Sequence, residues 1–416
     1  MGFFRIICQF GLLPYFYSLI LKIYPLIEST STSPSHLTSM KKTSMKLASI
    51  AMFVCGSIAT NAQNINVVTT AVPFLRITPD ARSAGMGELG IAISPDANSG
   101  FWNIAKTTFA SGKMQLGATY TPWLSDLKLN DVYLINASGY YKLDEMQAVS
   151  GGIRYFSLGN IQFTDANGNN LNSFRPREFS LEGGYARKLS NKMGLGVALR
   201  YISSDLAGGT VNGVSYKKGT SIAGDIHYYY KGTNASGNGF DFGATLSNLG
   251  SKISYTNDAK QKDYIPANLG VGAVYNKVFD ADNKIMFGVD LNKLLVPTPP
   301  VKKDGETDDQ FSGRIDDYRT QGVVSSWFSS IGDGDDIKEI SISAGAEYWY
   351  KEQFAFRLGY FGENKLKGDR RYITMGTGIK YNDMGINFAY LLPTGSGVTR
   401  NPLSNTLRFS ILYDMK

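Results

Sequence analysis

The sequence predicts an all-β protein, a 14-stranded antiparallel transmembrane β-barrel, and three observations carry that reading. First, apolar residues alternate with small or polar ones along segments of about 9–13 residues, longer than the usual five or six of a soluble sheet and close to what a tilted strand needs to cross a bilayer. Second, the face opposite the apolar one carries charges among glycines, which suits a polar barrel interior and not the apolar core of a sandwich. Third, the links between segments alternate between short and long, as turns at one rim and loops at the other.

The N-terminal region is set aside before the strands are read. "MKKTSMKLASIAMFVCGSIATNAQN" begins at Met40 and has the three parts of a secretory signal: Lys41, Lys42 and Lys46, then the apolar run Leu47 to Ala59, then Thr60-Asn61-Ala62 before Gln63. Residues 40–62 are therefore expected to be a signal peptide and residues 1–39 an upstream extension mis-called as coding. Cys8 and Cys55 are the chain's two cysteines, and both precede residue 63. The remainder can hold neither a disulfide nor a cysteine-based metal site. With His227 as its one histidine, it has no His-rich metal site, and no cofactor is expected.

From about residue 113 the alternating segments begin near 113, 130, 146, 177, 192, 220, 238, 268, 284, 337, 353, 371, 385 and 404. "GFDFGATLSNL" puts Phe240, Phe242, Ala244 and Leu246 on one face and Asp241, Gly243, Thr245 and Ser247 on the other. "KIMFGVDLNKL" sets Ile285, Phe287, Val289 and Leu291 against Gly288, Asp290 and Asn292. The polar face gathers Arg154, Glu182, Arg200, Asp225, His227, Asp241, Asp290, Glu347 and Arg357 into a lumen set. Mean hydropathy is −0.16, a soluble-looking value that alternation produces in any membrane barrel. The links "KLDE", "LSNK", "KGTNASG", "KVFDADN", "KE" and "DM" are tight turns; 158–176, 204–219, 250–267, 294–336, 363–370 and 393–403 are the long connections. In the longest, 294–336, a Pro-rich charged stretch precedes Val323, Val324, Trp327 and Phe328, whose spacing places them on one side of a short helix. That helix is either packed on the rim or a docking element for a partner.

Three features of the sequence bear on chemistry. Gly85, Gly87 and Gly90 spell G-x-G-x-x-G, but Pro73 and Pro79 precede the motif and Pro95 follows it, so the strand–turn–helix context of a dinucleotide site is missing. Ser221, Asp225 and His227 share a strand face, but same-face neighbours stand about 6.6 Å apart, too far for a catalytic triad built within one strand. A hydrolase such as a lipid A deacylase would have His227 as its histidine base; no enzymatic activity is expected. The net charge of +7 is spread along the chain with no basic tract, which argues against a nucleic-acid partner.

The segment "AVPFLRITPDARSAGMGELGIAISPDANSGFWNIAK", residues 71–106, resembles the start of the PorV (LptO) family of the type IX secretion system of Bacteroidota. "GVVSSWFSS" and "KEISISAGAEYWYKEQFAFRLGYFGEN", at 322–330 and 338–364, resemble the same family. The resemblance implies a barrel over 113–416 related to the FadL-like long-chain fatty-acid transporters, with residues 63–112 as a plug folded into the lumen. Pro79, Asp80, Arg82, Gly85, Gly87, Gly90 and Asn103 would be the plug motif, the glycines as turns. Ile104 stands where the wider superfamily has proline after Asn103. The implied location is the outer membrane with both termini periplasmic, in contact with outer-membrane lipid. The implied role is a shuttle that takes the C-terminal signal domains of secreted proteins from a large translocon barrel to a sortase-like attachment complex. The alternative is an outer-membrane transporter of fatty acids or other hydrophobic ligands, with an apolar pocket beneath the loops.

Overall fold

The computed structural model describes residues 67–415, except 125–128, 165–167, 208, 212–213, 259–261, 333–335, 366 and 395–405. The expectations for residues 1–62 lie outside the described residues. In chain order the strands are β1 (Met114–Pro122), β2 (Val132–Lys142), β3 (Gln147–Leu158), β4 (Ile161–Thr164), β5 (Asn170–Phe174), β6 (Arg177–Lys188), β7 (Met193–Asp205), β8 (Gly209–Val211), β9 (Val214–Tyr216), β10 (Gly219–Lys231), β11 (Gly239–Gly250) and β12 (Asn268–Val278). They continue as β13 (Asn283–Leu294), β14 (Ile340–Tyr350), β15 (Phe354–Gly362), β16 (Arg371–Tyr381), β17 (Met384–Pro393) and β18 (Leu407–Met415).

Fourteen of these close into an antiparallel barrel in which each strand pairs with its sequence neighbours and β1 pairs with β18, from Met114↔Met415 to Tyr120↔Phe409. Each of the fourteen starts within three residues of its expected position. The remaining pairs, β4–β5 and β8–β9, are small hairpins standing inside two of the long links.

Alternation sorts the two faces. On β7 Leu195, Val197, Leu199 and Tyr201 are exposed while Ala198, Arg200 and Ile202 are buried. Apolar side chains that stand outward all round a closed barrel form a surface for hydrocarbon, and closure pairs every backbone group that lipid could not satisfy. On β18 Leu407, Ile411 and Tyr413 are outward and Arg408 and Ser410 are inward.

The lumen is filled by the chain's own N-terminal segment. A 3-10 turn (Pro73–Arg76), two single-turn helices (Ala81–Ala84 and Ser99–Trp102) and a 3-10 helix (Ile104–Phe109) run through it. Val72, Phe74 and Leu75 pack with Val132, Leu134, Phe156, Ile202 and Ile265 at the long-loop end. Ala71 N–H donates to the Tyr264 carbonyl at 2.9 Å, in the 251–267 link. The segment then descends to Gly112, beside Tyr140 and Met415 at the short-turn end. Residues 67–71 lie at the long-loop end and Met415 at the other, because the plug enters among the loops and crosses the lumen before β1 begins.

Candidate functional site: the plugged lumen and the loop rim

The plug is held by polar contacts to the wall. Asp80 caps the Ala81–Ala84 helix by accepting from Ser83 N–H at 2.7 Å, and it accepts the Trp102 indole N–H at 3.0 Å. The cap aims Arg82 at β14. Its guanidinium grips Glu347 in a two-pronged pair, Nε to Oε2 at 2.9 Å and Nη2 to Oε1 at 2.7 Å. Nη1 meets Asp96 at 2.9 Å and the Ser94 carbonyl at 3.1 Å. From β15, Arg357 donates to the same Glu347 at 2.7 Å and to Asn387 at 2.8 Å. Two guanidiniums and two carboxylates thus tie the plug to three strands.

The glycine motif makes the second clamp. Gly90 and Ile91 N–H both donate to Asp290 of β13, at 2.7 and 2.9 Å. Those are the donors a pyrophosphate would need, so they already have a partner. Asn103 donates to the Ile91 carbonyl at 3.2 Å and the Tyr228 carbonyl at 2.9 Å and accepts from Ala105 N–H, which starts the 3-10 helix. Ile104 fits into the wall where β6 and β7 present Gly184 and Gly196. Gly85 lies against Gly376 on β16, and a β-carbon at Gly90 would meet the Trp102 ring.

The remaining inward-facing charged residues are also buried. Arg200 pairs with Glu182 and with Asp225 at 2.7 and 2.9 Å. Asp241 accepts from Gly232 and Thr233 N–H at 3.0 Å each and so shapes the β10–β11 turn. Arg154 donates to the Leu75 and Ile77 carbonyls and lies over the Phe101 ring. Ser221 donates to the Ser251 carbonyl at 2.7 Å, and neither His227 ring nitrogen meets a hydroxyl. The three residues do not form a triad. At the short-turn end a cavity of about 960 Å³ opens below the plug, lined by Arg82, Lys231, Asp241, Glu347, Lys380 and Asp414 among others.

The rim carries the apolar helix. Val323–Ser329 is helical, as its spacing predicts, but the four apolar residues divide between two surroundings. Ser326 and Ser330 are buried, Val323 and Trp327 half-buried, and Val324 and Phe328 exposed, Phe328 at 72%. Val324, Phe328 and the exposed Ile331 follow i, i+4, i+7 and form one outward stripe. Within the longest link Asp308–Thr320 forms a helix with no buried residue, an element the sequence reading did not include. Thr307 and Gln310 form a reciprocal capping box, a signal readable in the sequence. Its C-terminal end is fixed by Lys252, whose ammonium donates to the Arg319 and Gln321 carbonyls at 2.8 and 2.9 Å. Tyr264 donates to the same end and packs edge-on to Tyr318.

Ahead of this helix the Arg314 guanidinium, followed by the Lys303 N–H, holds the Glu306 carboxyl down at about 2 from its usual 4.5. A depressed carboxyl contributes stability that is present above its unfolded value and lost as pH falls through the folded one. The protection factors of the amides in 306–320, corrected for the intrinsic pH dependence of exchange, are therefore expected to be constant from pH 7 to 5 and to fall from pH 4 towards 2. Glu306→Gln should show the lower protection at every pH; a wild type whose protection is indifferent to pH 2 would refute the clamp.

A closed, lipid-faced barrel with a filled lumen is an integral outer-membrane protein of the transport and secretion class. The model of the family "Type IX secretion system protein PorV" matches residues 60–301, and the chain belongs to that family. No curated protein matches the sequence. Among solved structures the chain is similar to the P. putida toluene transporter TodX, at 12% identity and TM-score 0.48, over 81% of this chain and 98% of that one. The Ralstonia pickettii toluene transporter TbuX gives the same identity, score and coverage. A Pseudomonas aeruginosa FadL homologue is similar at 12% identity and TM-score 0.46, over 84% of this chain and 100% of that one.

Proposed function

We propose that this chain is a type IX secretion shuttle: its loop rim binds the C-terminal signal domains of secreted cargo at the large translocon barrel and hands them to the sortase-like attachment complex. In this reading the long loops are extracellular and the short turns periplasmic. Membership of the family supports the secretion system. The observation that carries the rim is where apolar surface is free. Val324 and Phe328 stand outward on the Val323–Ser329 helix and Ile331 just beyond it, directly after the Asp308–Thr320 helix whose C-terminal end Lys252 and Tyr264 hold in place. An aromatic residue flanked by aliphatics on a fixed support is what a protein interface uses as its anchor.

Val324→Ser with Phe328→Ser removes the stripe and touches no buried group. The barrel should assemble normally, as judged by heat-modifiable migration. Cargo recovered with it from detergent-extracted outer membranes should fall at least about tenfold, the loss of a modest interface anchor. Undiminished recovery would overturn the rim assignment. The transporter alternative expects an apolar chamber beneath the loops. There Val72, Phe74 and Leu75 fill the barrel, and the open cavity is at the other end and lined by charge.

A further inference from the structure

Most buried charges of the lumen have a partner in the plug or on the wall, and one stands apart. Arg408 on β18 is fully buried, and none of its three guanidinium nitrogens meets a protein acceptor. Arginine cannot shed its proton to escape this, as a buried lysine could. Its charge has to be balanced by something.

Other unpartnered polar groups lie around it. The register puts Ser410, Thr119, Asn136, Arg154 and Ser180 in one row across β18, β1, β2, β3 and β6. Thr121 is the next inward residue on β1 and continues the β1–β18 register towards Arg408. The Thr121 and Ser180 hydroxyls and the Arg154 Nε are buried without a partner, as is the Thr78 hydroxyl of the plug. Arg154 finds only backbone carbonyls and an aromatic face, and no carboxylate pairs with it. β3 stands three strand spacings from β18, about 14 Å along the wall; Glu182 is the acid that acts on Arg154, ahead of the repulsion from Arg200 and Arg408. Among the described residues no carboxylate forms an ion pair with Arg154 or Arg408, whereas the Arg82 and Arg200 clusters each hold two acids.

We propose that Arg408, with Arg154, Thr121 and Thr78, forms an anion-binding site between plug and wall, and that a monoanion bound there locks the plug into the barrel. The chemistry fits a halide or the carboxylate of a larger molecule: one negative charge, accepting from guanidinium N–H and hydroxyl donors.

The test uses the detergent-solubilised barrel at constant ionic strength, exchanging sodium sulfate, whose anion is a dianion, for sodium bromide. The wild type should gain at least about 2–4 °C in melting temperature, saturably, and Arg408→Gln should not respond. A response equal in the two proteins, or none in the wild type, overturns the proposal and leaves a water-filled pocket. Should Arg408→Gln fail to assemble, bromide-soaked wild-type crystals decide the matter. Anomalous density at the Arg408 guanidinium supports the site, and its absence refutes it. Native mass spectrometry separates the sources: a retained mass released by bromide marks a carboxylic acid from the membrane, and no retained mass marks a simple halide.

Discussion

Replacing Gly87 with valine is expected to unseat the plug and turn a closed barrel into a conducting one. Gly87 has φ +69°, and Glu88 beside it has φ 67°, so the chain turns through the left-handed region where it meets the wall. A β-carbon at Gly87 would stand 2.4 Å from the Tyr360 carbonyl oxygen, and one at Gly359 would stand 2.1 Å from Gly87 nitrogen. Backbone meets backbone, so no side chain can move aside. Left-handed strain in a β-branched residue and the overpacking add to roughly 2–5 kcal/mol. The barrel's own pairing does not involve Gly87, so the strands should still close. The expected readout is large single-channel conductance in planar bilayers and sensitivity of cells to an antibiotic normally excluded by the outer membrane. Gly359→Val should behave alike from the wall side. A Gly87→Val barrel as tight as the wild type would mean that plug and wall do not need this approach.

The second large effect concerns Glu347, the carboxylate shared by Arg82 and Arg357. All three are buried, and Asp96 completes a neutral set of four. Glu347→Gln keeps the shape and removes the charge, which leaves two guanidiniums facing each other away from water. Breaking a buried pair in this way costs about 3–5 kcal/mol, more than the pair contributes by being present. Removing one positive charge as well should restore neutrality. Glu347→Gln with Arg357→Met is therefore expected to unfold nearer the wild-type urea midpoint than Glu347→Gln alone. A double variant that is worse than the single by the full cost of Arg357→Met would show that the groups act independently.

The barrel was legible in the sequence because strand alternation is local. Each residue's face follows from its parity along the strand, and lipid outside with charge inside writes that parity into residues such as Leu199 and Arg200. Turns and loops were equally legible, as length and composition. The capping box at Thr307 was there to be read and marks the helix that was missed.

What binds the plug was not legible. Gly90 and Ile91 meet Asp290 across 200 and 199 positions, Arg82 meets Glu347 across 265, and no periodicity links them. The sequence by itself determined that Asp290 and Glu347 face inward. Only the tertiary structure decided that both accept from donors of the plug and that the Arg408 guanidinium finds no protein acceptor. It also decided that Phe328 faces solvent while Trp327 leans on the rim, and that the plug enters among the loops. The reason is physical: parity is fixed by the geometry of one strand, whereas a partner in the lumen is fixed by which surfaces meet when the whole barrel closes.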